Sequence, residues 1–263
     1  MLSAVACLGG IGLAAATALG IAAKKFAVEV NPKEAAILAA LPGVNCGACG
    51  EAGCSGYARA VAQGRLPPDL CPPGGRETAE ALANIMGLKI PSRAPQIAVI
   101  LCQGGSSLTQ QKYLYLGLED CNAAQRLAGG PKACPAGCLG LGSCVRACPF
   151  DAIEITTDHL AVINRNNCTG CGLCLKTCPR QVIVLAPERV TTHVLCNSHD
   201  KGADIRKYCE IGCIGCQICK KAAPDAYLIE DNLARVNYEY ADTAAAAIAK
   251  CPMKCIRDLA TPE

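Results

Sequence analysis

The chain has 263 residues, 51% hydrophobic and 18% charged, with a formal net charge of +3. That length suits two or three small domains, and so small and dispersed a charge leaves no electrostatic footprint for nucleic acid. Two Phe, seven Tyr and no Trp exclude one large aromatic-rich core, whereas 22 Cys ask what the sulfurs hold. A cysteine fraction this high marks a disulfide scaffold in short secreted chains. In a long chain without a convincing export signal it favours thiol-ligated metal.

Met1 to Ala23 carry no charged side chain, and Lys24 and Lys25 follow at once. As a helix that stretch is about 35 Å long, enough for a hydrocarbon core of about 30 Å. Gly12, Ala16 and Gly20 form one small-residue stripe, and Gly10, Ala14 and Ala18 another, faces that let helices approach closely in lipid. The rival, a cleaved signal peptide, lacks a basic start and would deliver the thiols to an oxidising compartment. The two lysines put the remaining chain on the cytoplasmic side. Gly10 to Ala15 formally match a dinucleotide fingerprint, but no strand precedes them, so the match is chance. Cys7 reads as a small apolar residue of the span.

Asn31 and Pro32 start a helix over Glu34 to Leu41, followed by Cys46-x2-Cys49-x4-Cys54-x16-Cys71. Gly43, Gly47, Gly50 and Gly53 interleave these sulfurs and let the backbone wrap and aim N–H groups at sulfide. Zinc sites also use four cysteines, but usually as two short knuckles; one array plus a distant cysteine suits a [4Fe–4S] cube better. Gln96 to Leu101 read as a strand, Gly104-Gly105 as a turn, and Tyr113 to Leu118 as a second apolar run. Cys102 and Cys121 stand singly there, the usual setting of a buried small hydrophobe.

Two linked runs follow: Cys134-x3-Cys138-x5-Cys144-x3-Cys148-Pro149 and Cys168-x2-Cys171-x2-Cys174-x3-Cys178-Pro179. The second has the spacing of two-cluster bacterial ferredoxins, in which the fourth cysteine of each run serves the other cube. The expected sets are therefore Cys134, Cys138, Cys144 and Cys178, and Cys168, Cys171, Cys174 and Cys148, although the wide gaps of the first run depart from that pattern. Disulfides are the rival, and a cytoplasmic chain disfavours them.

A third array is depleted. Cys213-x2-Cys216-x2-Cys219 leads to Ala223-Pro224, and Cys251-Pro252 is preceded by Ala241, Ala244 and Ala247 where three ligands would stand. The connector Asp158 to Asn164 matches Asp231 to Asn237, so the module is duplicated. Its second copy keeps one cube, on Cys213, Cys216, Cys219 and Cys251, with Cys209 and Cys255 as possible substitutes. Replacement by helix-forming alanine suggests that Thr243 to Lys250 pack as a helix where the lost cube sat. Cys196 stays unassigned.

The count is four [4Fe–4S] clusters, or three if the last cassette holds none. His159, His193 and His199 fall outside any metal spacing and read as surface or connector residues. There is no catalytic triad and no phosphate loop, so the clusters read as a wire with no complete catalytic site in this chain alone. The fold class is α+β: a transmembrane helix (1–25), a small cluster domain (30–90), a connecting α/β segment (91–130), a two-cluster ferredoxin-like domain (131–186), a connector (187–207) and a degenerate single-cluster module (208–260). Arg146, Arg165, Lys176, Arg180, Lys220, Lys221, Lys250, Lys254 and Arg257 lie in or beside the cassettes, as ordinary solvated charge or as a basic rim that steers an acidic partner.

The order of span, Cys46 array, Cys102-Gln-Gly-Gly segment and a Cys138-to-Ile153 run beginning Cys-Leu-Gly-Leu-Gly-Ser-Cys resembles the B subunits of Rnf electron-transport complexes over nearly the whole chain. The resemblance implies an electron-transfer subunit of a prokaryotic plasma-membrane translocase, single-pass, with its clusters on the cytoplasmic side. The complex would couple electron flow between soluble ferredoxin and NAD to Na+ or H+ movement, with flavin, NAD and ion sites on other membrane and peripheral subunits. The resemblance thus implies that this chain binds neither flavin nor NAD. The alternatives are an iron–sulfur subunit of another membrane-associated oxidoreductase, or of a complex that reduces a redox-sensing transcription factor.

Overall fold

The computed structural model describes residues 2–26, 31–89 and 94–260, with side chains described from residue 9 onward. Helix α1 (Leu2–Lys25) is followed by α2 (Pro32–Ala40), α3 (Cys54–Ala62) and α4 (Gly75–Met86). Among the described residues no helix is long and apolar enough to cross a membrane; the side chains of Met1 to Leu8, which open the expected span, lie outside them.

Asn31 caps α2 by accepting from Lys33 N at 3.0 Å, and Pro32 occupies the first turn, where its missing N–H costs nothing. Ile37, Tyr57, Val61 and Leu82 are buried together, so α2, α3 and α4 share one small core. The Tyr57 hydroxyl is satisfied in that core: it donates to Pro67 O at 2.8 Å and accepts from Leu70 N at 3.1 Å. Gly87, at φ 68°, closes α4 in the left-handed conformation usual after a helix end.

The remainder is one topology written twice. In the first module β1 (Gln96–Ile100) pairs antiparallel with β4 (Ile183–Pro187), and β2 (Ile153–Ile155) with β3 (Ala161–Ile163). In the second, β5 (Thr192–Val194) pairs with β8 (Ile256–Asp258), and β6 (Tyr227–Glu230) with β7 (Leu233–Val236). Short helices α6 (Ser143–Arg146) and α7 (Leu173–Thr177) complete the first, and α9 (Ile218–Ala222) and a 3-10 helix (Ala241–Ala247) the second. Hydrogen bonds repeat as well: Asn164 N donates to Ala152 O at 2.8 Å, and Asn237 N to Ala226 O at 2.9 Å.

These pairings carry β1 into the first module, although it lies in the segment read as a connector (91–130), and β5 into the second, although it lies in 187–207. Each module then holds an insertion between its first strand and its first cluster helix, containing α5 (Cys121–Arg126) and α8 (Gly202–Tyr208) respectively. Tyr113 to Leu118 form no strand; Leu114, Leu116 and Leu118 point outward while the Tyr115 hydroxyl donates to Leu118 O at 3.0 Å. His193, expected at the surface, is buried at 1% exposure beside Tyr238. Burial pushes its imidazole down to about 4, and its Nε2 meets Val190 O at 3.2 Å.

In the second module the positions read as absent ligands are filled by packed side chains. Ala241, Ala244 and Ala247 face inward from the 3-10 helix, and Ala223 is buried with the latter two in one apolar cluster. The ring of Tyr227, at 0% exposure, joins that cluster and its hydroxyl donates to Ala244 O at 2.8 Å. The helix expected over Thr243 to Lys250 is instead a tighter 3-10 helix over Ala241–Ala247, which ends before Ile248. Three residues per turn bring positions three apart onto one face, which is the spacing of the three former ligand positions.

Candidate metal centres

Among the described residues five cavities lined by cysteines stand out, and they are alike in size. The first, about 310 Å³, is lined by Cys46, Cys49, Cys54 and Cys71 together with Leu41, Val44 and Tyr57. Gly53, at φ 98°, passes so close to Asn45 that a Cβ would sit 2.8 Å from its Oδ1; that oxygen accepts from Cys54 N at 2.8 Å and fixes the loop. The second, also about 310 Å³, gathers Cys148, Cys168, Cys171 and Cys174 under Phe150 and Ile153. Ala98 N of β1 points at Cys168 Sγ, 3.4 Å away, and at Gly170, φ 66°, a Cβ would meet Gln96 O at 2.2 Å. The cluster loop and β1 are therefore packed backbone to backbone.

The third cavity, about 350 Å³, departs from the expected set. Cys138, Cys144 and Cys178 line it, and the fourth sulfur is Cys121, not Cys134. The second module explains why. Cys138-x5-Cys144 aligns with Cys213-x5-Cys219, and Leu141 stands where Cys216 stands in the copy. The left-handed residues before the cluster helices agree with that register: Gly142 at φ 73° and Gln217 at φ 63°. The first module lacks the middle cysteine, and Cys121 supplies a sulfur from the insertion. Asp120, the cap of α5, accepts from Ala123 N at 2.8 Å, from Ser143 Oγ at 2.8 Å and from Arg146 Nη2 at 3.0 Å. Cys121 N in turn donates to Ser143 Oγ at 2.7 Å, so α5 is clamped to α6 with its thiol facing the cavity.

The fourth cavity, about 310 Å³, brings together Cys102, Cys134, Cys196 and Cys209. Spacing alone gave no reason to group them. The fifth, about 360 Å³, is lined by Cys213, Cys216, Cys219 and Cys251 as the depleted cassette suggested, and by Cys255. Cys255 is buried at 2% exposure, with its Sγ 3.6 Å from Cys251 Sγ. Hydrogen bonding among these three thiols holds Cys213 and Cys251 down and pushes Cys255 up. With Cys213 and Cys251 bound to metal as thiolates, Cys255 would keep the S–H that donates to them.

Every described cysteine is a free thiol. Among the described residues no three His, Cys, Asp or Glu side chains converge tightly enough to hold a single ion, as a tetrahedral zinc requires with sulfur about 2.3 Å from the metal. Four sulfurs around one cavity are the donor set that a [4Fe–4S] cube takes. Burial pushes the Cys144 and Cys174 thiols up to about 12 and Cys219 up to about 11, so loading metal on them releases protons. Of the basic residues read as a rim, Arg180 is buried: it donates to Gln125 Oε1 at 2.7 Å, to Gly137 O at 3.2 Å, and to Cys134 O and Gly129 O. It pins the loop that carries Cys134. Lys176, Lys220, Lys221, Lys250 and Lys254 are exposed.

Duplicated modules of this topology, built around cysteine-lined cavities, define an iron–sulfur electron-transfer protein of the ferredoxin type. Family comparison agrees: residues 41–73 match the family described as "Putative Fe-S cluster", 134–185 the 4Fe-4S dicluster domain, and 210–258 the 4Fe-4S single cluster domain of ferredoxin I. Over 97% of its length the chain is 39% identical to the B subunit of the ion-translocating oxidoreductase complex of Methanosarcina acetivorans, covering 97% of that protein. It is 40% identical to the B subunit of the Na+-translocating ferredoxin:NAD+ oxidoreductase complex of Acetobacterium woodii, over 96% of this chain and 76% of the relative. With the B subunit of the proton-translocating ferredoxin:NAD+ oxidoreductase complex of Clostridium ljungdahlii the identity is 41%, over 94% and 88%. The chain belongs to the B-subunit family of ion-translocating oxidoreductase (Rnf) complexes, and it is an electron-relay subunit.

Proposed function

We propose that this chain passes single electrons between soluble ferredoxin and NAD within a membrane complex that moves Na+ or H+. The observation that carries this reading is the row of cysteine-lined cavities in ferredoxin-type modules. A [4Fe–4S] cube, when bound, supplies one-electron redox chemistry whose potential follows burial and hydrogen bonds to sulfur. The ligand sets are Cys46, Cys49, Cys54 and Cys71; Cys148, Cys168, Cys171 and Cys174; Cys121, Cys138, Cys144 and Cys178; and Cys213, Cys216, Cys219 and Cys251. Flavin, NAD and ion sites belong to other subunits. Helix α1 is the single membrane pass: Ile11, Leu13, Leu19 and Ile21 are all about two-thirds exposed or more, an outward apolar surface that lipid or neighbouring helices would cover. Lys24 and Lys25 end it on the cytoplasmic side of the plasma membrane, with the cluster modules.

Ferredoxin docks at the second module. Cys216 is exposed, and Lys220 and Lys221 stand exposed on the adjacent helix α9. A basic rim beside an accessible cluster raises the association rate of an acidic partner and loses that effect in salt. Replacing Lys220 and Lys221 together by Glu is expected to slow ferredoxin oxidation at least several-fold at low ionic strength and little at high. Stopped-flow rates across a salt series test this; a slowing independent of salt would remove the docking assignment.

A further inference from the structure

We propose that Cys102, Cys134, Cys196 and Cys209 bind a fifth [4Fe–4S] cube at the junction of the two ferredoxin-like modules. The site stands on its own geometry; its part in the relay rests on the function proposed above.

Two of the sulfurs come from each module, and they come from equivalent places. Leu101-Cys102 follows β1, and Leu195-Cys196 follows β5. Leu101 N donates to Val182 O and Leu195 N to Cys255 O, both at 2.7 Å. Cys134-x2-Gly137-Cys138 repeats as Cys209-x2-Gly212-Cys213. The bonds to sulfur repeat too: Cys138 N donates to Cys102 Sγ at 3.4 Å, and Cys213 N donates to the Cys196 thiol. The four thiols therefore form a ring with approximate twofold symmetry, each module offering one strand-end cysteine and one cysteine four residues ahead of its own cluster run.

The lining fits a large anionic guest. The cavity is about 310 Å³, as large as those of Cys46 and Cys148. Glycines keep its wall clear: a Cβ at Gly104 would sit 3.3 Å from Cys209 Sγ and 3.9 Å from Cys102 Sγ, and one at Gly137 3.3 Å from Cys134 Sγ. Lys132 lines the same cavity at 2% exposure, and its Nζ donates to Gly104 O at 2.6 Å. Asp158 acts on it electrostatically but forms no ion pair with it, so among the described residues the ammonium is left without a contacting counter-charge. A buried ammonium needs an opposite charge, and a cube on four thiolates is an anion. Thr109 Oγ1 points at Cys209 Sγ, 3.9 Å away, as a further donor.

The position gives the site its use. Cys102 is bonded to Cys138 of the neighbouring cube, and Cys196 to Cys213 of the last. The fifth site therefore touches the cluster run of each module and would link the two.

The test is the metal content of anaerobically purified full-length variants. The parent is expected to hold about 20 iron and about 20 sulfide, five cubes. Cys196→Ser and Cys209→Ser are each expected to lose about four iron with the Mössbauer and EPR signals of the other cubes intact. Combining Cys209→Ser with Cys121→Ser is expected to lose about eight, because those thiols serve different cubes. A parent with about 16 iron, or unchanged iron in both single variants, overturns the proposal and leaves the relay standing, as does zinc released from this site alone. A parent without acid-labile sulfide overturns the relay itself. If a variant misfolds, the parent's cubane iron count decides alone.

Discussion

Replacing Cys251 by Ser is expected to abolish or badly perturb one cube and leave the rest, removing about four iron at most, whereas Cys255→Ala is expected to keep the full count. Cys251 lies in the fourth-ligand position before Pro252, and with Cys213, Cys216 and Cys219 it lines one cavity. Cys255 is buried deeper, with its Sγ 3.6 Å from Cys251 Sγ, and would donate its S–H once Cys213 and Cys251 are metal-bound thiolates. A hydrogen bond to ligand sulfur favours the more negative, reduced cluster. Cys255→Ala should therefore lower the potential of this cube alone. A redox titration followed by EPR separates the two roles. Full iron in Cys251→Ser with loss in Cys255→Ala would exchange them.

Tyr227→Ala is expected to destabilise the second module by about 3–5 kcal/mol, the usual cost of emptying a packed aromatic site, while leaving the iron count unchanged. The ring is fully buried in one apolar cluster with Ala223, Ala244 and Ala247, the positions read as lost ligands. Tyr227→Phe should cost only about 1 kcal/mol, for the bond to Ala244 O. Anaerobic thermal unfolding reads both. A Tyr227→Ala midpoint indistinguishable from that of the parent would mean that the lost cube's place is not held by packing.

Local arrays were legible in the sequence because their ligands lie within a few residues: Cys46 to Cys54, Cys168 to Cys174 and Cys213 to Cys219 each converge on one cavity. The depleted cassette was equally readable, since Ala223, Ala241, Ala244 and Ala247 keep the ligand spacing after losing the sulfur. Cys121 and Cys102 were not, because a lone thiol has no spacing and its partners arrive through tertiary structure. Cys134 misled by adjacency: it precedes Cys138 in the run, but belongs in register with Cys209. The signal that could have found it was the duplication itself, which also matches Leu101-Cys102 with Leu195-Cys196. The sheet pairings β1–β4 and β5–β8 join strands far apart in the chain, over separations where local pattern says nothing.

The most direct test of the relay is the number of electrons that the purified chain accepts. Coulometric titration under anaerobic conditions, followed by EPR, is expected to show about five one-electron uptakes per chain, each tied to a cubane signal. A chain that takes up no electrons, or whose cysteines hold redox-silent zinc, would contradict the relay.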